Sequence, residues 1–120
     1  MAKARYELEN GVALITLADP ATLNAISVEM TEELGGFFDR AASEARCIVL
    51  TGEGRGFSSG ANLASGAPPM DADGQPDLGG RLETTFNPFV TKLRDLPVPY
   101  VTAINGAAAG IGCSFALLGD

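Results

Sequence analysis

Twice in this chain a short apolar run opens directly into a glycine-rich turn. Cys47-Ile-Val-Leu50 leads through Thr51-Gly52-Glu53-Gly54 to Gly56-Phe-Ser-Ser-Gly-Ala-Asn-Leu63, and Tyr100-Val-Thr-Ala-Ile104 leads into Asn105-Gly-Ala-Ala-Ala-Gly-Ile-Gly-Cys113. A few apolar, β-branched residues stopped by glycines read as a strand ending in a turn. A strand that gives way at once to a glycine loop is where mixed α/β folds place their ligand contacts. Glycine lacks a Cβ and tolerates positive φ, so such turns can present main-chain N–H groups that no side chain blocks. Two such donors aimed at one point form the kind of site that stabilises a developing oxyanion.

Composition narrows the classes of partner and chemistry. At 120 residues and 46% hydrophobic the chain is one domain at most, with enough apolar content for a core. A net charge of −7 argues against nucleic acid or an anionic membrane as the main partner, since both need a basic footprint. A polyanionic small molecule stays compatible where its phosphates meet a local Lys, Arg or backbone site. No apolar run reaches the roughly 18 residues of a membrane span, and Met1-Ala-Lys-Ala-Arg-Tyr6 lacks the apolar stretch of a signal peptide, so a cytoplasmic location is expected. Cys47 and Cys113 form neither a disulfide framework nor a metal-ligand spacing, and both are expected to be reduced and buried, with no metal bound.

The chain contains no histidine. A Ser-His-Asp hydrolase, a Cys-His enzyme and a histidine-ligated zinc site therefore cannot be built from it. Gly56-Phe57-Ser58-Ser59-Gly60 matches the spacing of a nucleophile elbow, but without a base Ser58 reads as part of a structural turn.

Along the chain, Tyr6 and Leu8 face Val12, Leu14, Ile15 and Leu17 across Asn10-Gly11, a pair suited to positive φ, which predicts a hairpin. From Ser27, a helix cap, Val28, Met30, Leu34, Phe37, Phe38 and Ala41 recur at helical spacing, interrupted by Gly35 and Gly36. Residues 64–80 read as an exposed loop. Within it Asp71-Ala-Asp73-Gly74 and Asp77 lack calcium-loop spacing and read as solvated acids. Phe86, Phe89, Val90, Leu93 and Leu96 predict a helix over 82–96 with Pro88 near a first turn or kink, and Pro97 and Pro99 end it. A strand over 100–104 and a small-residue helix over 113–118 close the chain.

These segments, in this order, resemble the N-terminal part of the crotonase superfamily, the enoyl-CoA hydratases and isomerases. Leu23-Asn24-Ala25-Ile26 looks like the family's N-A-L segment, Ile48-Val49-Leu50-Thr51-Gly52 like its next strand, and Phe57-Ser-Ser-Gly-Ala-Asn-Leu63 like F-x-x-G-A-D-L. The stretch from Pro99 to Cys113 is similar to P-x-I-A-A-V-N-G-x-A-x-G-G-G-C. The resemblance implies an α/β fold in which ββα units wind into a spiral, with residues 1–120 forming only the N-terminal half of one domain. It implies acyl-CoA thioester substrates, coenzyme A being part of the substrate and no separate cofactor being needed, and assembly as a trimer or dimer of trimers. It assigns the oxyanion donors to the backbone amides of Ala61 and Ile111. It also implies that Leu23, Asn24, Ala25, Ser59, Gly60, Asn62, Leu63, Gly110 and Ser114 line the substrate and CoA site.

Departures from the family pattern bear on the reaction. Hydratases carry a glutamate directly after G-G-G-C, and here that place is Ser114, whose hydroxyl cannot act as an unaided general base near neutrality. Double-bond isomerisation is therefore favoured over hydration. The acid used by family isomerases lies about twenty residues further on, beyond Asp120, and hydration with acids outside this chain is the alternative. Asn62 replaces the motif's aspartate, Ile111 replaces its central glycine with a β-branched residue that disfavours positive φ, and no lysine follows the motif. CoA phosphates would fall to Lys3, Arg5, Arg55, Lys92 or a basic residue from the rest of the family domain or a neighbouring subunit, with Arg55 best placed locally although it reads first as a solvated surface residue. Two other classes stay open. Gly106-Ala-Ala-Ala-Gly110-Ile111-Gly112 fits the fingerprint of an NAD(P)-binding short-chain dehydrogenase, and the chain could be a non-catalytic fragment.

Overall fold

The computed structural model describes residues 2–61 and 87–120. Asn10 (φ 53°) and Gly11 (φ 82°) both take positive φ, which gives the two-residue turn whose twist matches a hairpin. It joins β1 (Ala4–Glu9) to β2 (Val12–Leu17) in an antiparallel pair that sets Tyr6 opposite Ile15 and Ala4 opposite Leu17. After a 3-10 turn at Pro20–Thr22, α1 (Val28–Glu44) begins where the Ser27 side chain accepts a 3.0 Å hydrogen bond from the Met30 amide. That bond occupies one of the helix's orphan donors.

Strand β3 (Cys47–Gly52) returns parallel to β2, and α2 (Asn87–Arg94) precedes β4 (Tyr100–Ala103), which lies parallel to β3. The sheet order is β1-β2-β3-β4. Registers Ala13↔Ile48↔Tyr100 and Ile15↔Leu50↔Thr102 put one set of side chains on one face, because partners across a sheet share a face while neighbours along a strand alternate. On that face Ala13, Ile15, Leu17, Ile48, Leu50 and Tyr100 are buried, together with Met30, Leu34, Phe38 and Ala41 of α1. On the other face Val12 and Val101 are exposed.

Aromatic edges tie the helices to this core. Phe38 meets Tyr100 at 5.5 Å between centroids and Phe89 of α2 at 5.8 Å, and Phe89 in turn meets Phe115 at 5.1 Å, all three pairs edge-on. Such pairs add about 0.5–1.5 kcal/mol each beyond the area they bury. Phe115 belongs to α3 (Ile111–Leu117), which folds back along β4. The Tyr100 hydroxyl donates to Phe115 O (3.0 Å), Thr102 Oγ1 to Ala116 O (2.9 Å), and Asp120 Oδ2 accepts from the Tyr100 amide (2.9 Å).

Several boundaries differ from the sequence expectations. β3 runs two residues further, through Thr51 and Gly52, because they continue the parallel ladder opposite Thr16 and Leu17. α3 starts at Ile111 rather than Cys113, since Gly110 (φ 54°, ψ −130°) makes the reversal and frees the next residue to be helical. Pro88 sits in the first turn of α2, where its missing N–H has no helical partner to lose. The part of that helix expected before residue 87, Phe86 included, and the acidic loop around Asp71–Asp77 lie outside the described residues. Cys47 and Cys113 are free thiols, half-buried rather than buried. Among the described residues no helix is long and apolar enough to cross a membrane.

Candidate active site

Three backbone segments, far apart in sequence, are laced side by side at one end of the sheet. Residues 22–26 pair with 58–60: the Ser59 amide donates to Leu23 O (2.9 Å) and the Ile26 amide to Gly60 O (2.6 Å). Residues 57 and 58 pair with 107–109: the Phe57 amide donates to Ala107 O (3.0 Å) and the Ala109 amide to Ser58 O (3.0 Å). The first glycine segment thus lies between the other two, with bridges Ile26↔Ala61 and Ser58↔Ala108 marking its two edges.

Side chains hold this lattice from inside. Asn24 is fully buried with φ 56°. Its Oδ1 accepts from the Asp19 amide (2.8 Å), and its Nδ2 donates to Glu53 O and Gly56 O, both at 3.0 Å. Asn105 works from the opposite side, accepting from the Gly52 amide (3.1 Å) and donating to Gly54 O (2.9 Å) and Gly56 O (3.2 Å). Ser58, 1% exposed, donates to Asn24 O (2.8 Å) and accepts from the Gly60 amide (3.3 Å). Its hydroxyl is spent on the backbone, as a turn residue's would be and a nucleophile's would not.

The two glycines that precede the expected donors touch. A Cβ on Gly110 would stand 3.7 Å from Gly60 Cα, and one on Gly60 (φ 103°) would stand 3.1 Å from Ala109 O. Close approach and positive φ together require glycine at residue 60, and the backbone of Gly110 (φ 54°, ψ −130°) alone requires it there. The positive φ that would have strained Ile111 falls one residue earlier, on Gly110, and Ile111 is the first residue of α3.

Amide direction follows from peptide planarity. Gly60 O is held by the Ile26 amide at 2.6 Å, and in a trans peptide the C=O and the next N–H point opposite ways. The Ala61 N–H is therefore turned away from residues 22–26. Likewise Gly110 O accepts from the Cys113 (3.1 Å) and Ser114 (3.3 Å) amides, so the Ile111 N–H points out of the start of α3. Among the described residues, neither the Ala61 nor the Ile111 amide donates to a protein acceptor. Each is a donor whose partner carbonyl is already hydrogen-bonded, an arrangement that polarises the N–H further.

The other residues singled out by sequence divide. Leu23 is 37% exposed beside Gly56, Ser59 and Ser114 are exposed, and Ala25 and Gly60 are buried in the lattice. Asn24 has no free polar atom on its side chain, so its place at the site is structural. Asn62 and Leu63 lie outside the described residues. Lys3, Arg5 and Lys92 are engaged with Asp19 (3.5 Å), Glu53 (3.1 Å) and Asp39 (2.9 Å), whereas Arg55 is exposed with no ion pair among the described residues. The described residues hold no cluster of His, Cys, Asp and Glu able to bind a metal ion. The roles of Ser58 and Asn105 were missed in the sequence. Each depends on partners tens of residues away, which no local pattern signals.

A family model described as enoyl-CoA hydratase/isomerase matches residues 7–120. The chain is 43% identical over 116 residues to a probable enoyl-CoA hydratase of Rhodobacter capsulatus, a match that covers 97% of this chain and 43% of that protein. It is 40% identical over 116 residues to a 1,2-epoxyphenylacetyl-CoA isomerase of Escherichia coli, covering 94% and 44% respectively. The crystal structure of an enoyl-CoA hydratase from Mycobacterium avium subsp. paratuberculosis superposes with a TM-score of 0.81 at 32% identity, over all of this chain and 45% of that one. The chain spans less than half the length of these relatives. Because the family match runs through the second glycine turn, that turn belongs to this pattern and does not open a dinucleotide-binding domain.

Proposed function

Since the chain belongs to the enoyl-CoA hydratase/isomerase family and forms the N-terminal portion of its crotonase-like fold, we propose that it binds an acyl-CoA thioester. In this reading the Ala61 and Ile111 amides receive the thioester oxygen as it gains enolate charge. The observation that carries the proposal is the contact between Gly60 and Gly110, each followed at once by an amide with no described acceptor. Removing a proton beside a thioester carbonyl, or adding a nucleophile to its conjugated alkene, moves negative charge onto that oxygen. Fixed donors stabilise the charge without reorganising.

Isomerisation of a double bond is the favoured reaction. At the start of α3, where a hydratase places a glutamate, Ser114 offers an exposed hydroxyl that cannot take up a proton at neutral pH. Hydration with acids supplied from outside residues 1–120 is the second reading, favoured by the name of the Rhodobacter capsulatus relative. Exposed Leu23 and Ser59 would border the substrate, and Arg55 would meet the CoA phosphates. A trimeric or dimer-of-trimers assembly and the lack of any cofactor beyond the coenzyme A of the substrate are what the family resemblance implies, and a cytoplasmic location belongs to the same reading.

The test compares 3-enoyl-CoA isomerisation with 2-enoyl-CoA hydration in the wild type and in Ala61→Pro, which deletes one donor N–H. Isomerisation is expected to be the faster reaction. Ala61→Pro should slow it by about 10²–10³-fold, the roughly 3–4 kcal/mol typical of one oxyanion donor. Faster hydration, or loss of all turnover in Ser114→Ala, would refute the isomerase assignment. Unchanged turnover in Ala61→Pro would refute the oxyanion site.

A further inference from the structure

We propose that Ser58 is a positioning residue that sets the spacing of the two donor amides; this rests on the oxyanion reading of Ala61 and Ile111. Its hydroxyl bonds the first segment of the lattice and its own, and abuts the helix that follows the third. It donates to Asn24 O (2.8 Å) and accepts from the Gly60 amide (3.3 Å), the peptide immediately before the one that carries the Ala61 N–H. On its other side it meets Gly112, the residue after Ile111. A Cβ there would stand 2.5 Å from both Ser58 Cβ and Ser58 Oγ.

Ser58 therefore abuts a neighbour of each donor, Gly60 before Ala61 and Gly112 after Ile111. The distance between two amides on different segments is set by what lies between them, and, beside the Ala109 amide to Ser58 O hydrogen bond (3.0 Å) and the approach of Gly60 to Gly110, that includes the Ser58 hydroxymethyl group at 1% exposure. Removing the oxygen frees the Gly60 amide, leaves Asn24 O without this donor and opens space beside Gly112 in the first turn of α3. Both donors would remain present but would no longer be held at one separation. A misplacement of about 1 Å in such a site can cost on the order of 10²-fold in rate, whereas ground-state binding of a long ligand with many other contacts changes much less.

The experiment uses the full chain and a four-carbon 2-enoyl-CoA labelled with ¹³C at the thioester carbonyl. The carbonyl stretching band is read in difference infrared spectra. Hydrogen bonds from both amides polarise the carbonyl, so the wild type is expected to lower the frequency relative to free thioester. Ser58→Ala should lose at least half of that downshift, while Ser43→Ala, an exposed serine that bonds only Arg40 O, keeps it. A full downshift in Ser58→Ala overturns the positioning role and leaves the oxyanion reading standing. No downshift in the wild type overturns both. Should Ser58→Ala fail to fold, Ser58→Cys keeps the volume with a weaker donor and acceptor. It should lose part of the downshift, and its retention in full would overturn the proposal.

Discussion

Asn24→Asp replaces one NH₂ by an oxygen at a residue with 0% exposure, and the structure fixes what that exchange must do. Aspartate keeps the shape and tolerates the left-handed φ of 56°, so the backbone has no reason to move. The hydrogen bond from the Asp19 amide (2.8 Å) survives, but the two donations to Glu53 O and Gly56 O, both 3.0 Å, are lost. Gly56 O keeps Asn105 Nδ2 at 3.2 Å, which leaves Glu53 O without its side-chain donor. That oxygen is part-buried, so its lost donor costs about 1 kcal/mol, the low end of the range for a buried unpaired group. A buried carboxylate facing two carbonyl oxygens raises the total to about 3–5 kcal/mol, the range for an uncompensated buried charge. That is about a fifth or more of the stability of a typical domain, about 5–15 kcal/mol.

The sign of the pH dependence follows. Burial and the facing oxygens disfavour the charged form, so the folded pKa of the new carboxyl rises above its unfolded value of about 3.9. The variant's deficit should therefore be smallest below that value, where the protonated carboxyl can donate to one carbonyl. It should grow as pH rises through the folded pKa. Urea unfolding of wild type and variant at matched pH values measures it. Asn24→Gly, which removes the donors without adding charge, should show a smaller deficit that is independent of pH. An Asn24→Asp protein within about 1 kcal/mol of wild type at pH 7, or a deficit that does not shrink in acid, would refute the account.

Gly36 and Gly112 should respond oppositely to alanine. Gly112→Ala forces a Cβ about 0.9 Å inside the 3.4 Å onset of ordinary contact with Ser58 and should cost about 1–3 kcal/mol in urea unfolding, whereas Gly36, inside α1 with nothing within 4 Å, should gain about 0.5–1 kcal/mol. The Tyr6 hydroxyl is pushed up to about 12 from an ordinary 10.0, first by burial and then by its hydrogen bond to Glu44. Its raised pKa contributes stability that is full below pH 10 and is lost as pH climbs towards 12. Unfolding midpoints over that range should fall less steeply in Tyr6→Phe than in wild type.

What could be read from the sequence was what neighbouring residues decide. Asn10-Gly11 specifies its turn by φ alone, Ser27 caps by reaching three residues ahead, and Pro88 falls where a helix tolerates it. The limits of α3 were misplaced because Gly110 takes the reversal that the sequence reading had left open at Ile111. The interior of the site was not legible either. Buried Asn24 and Ser58 and exposed Asn105 act on partners 29 to 53 residues away, and a polar side chain of this kind leaves no periodicity. The family pattern supplied the locations of Ala61 and Ile111. The hydrogen bonds that orient their amides appear only in three dimensions.

The meeting of Gly60 and Gly110 also bears on how such a site changes over generations. The closest approach of the two turns is made by main chain, and the N–H groups of residues 61 and 111 are present whatever side chain other than proline stands there. If those amides hold a substrate's charge as proposed, point mutations at exposed Ala61 and half-buried Ile111 can reshape the walls around it without erasing the donors, whereas any side chain at Gly60 must intrude on Ala109 O. On that reading, selection can alter which acyl group is accepted, or which reaction follows, more readily than it can abandon the anchor.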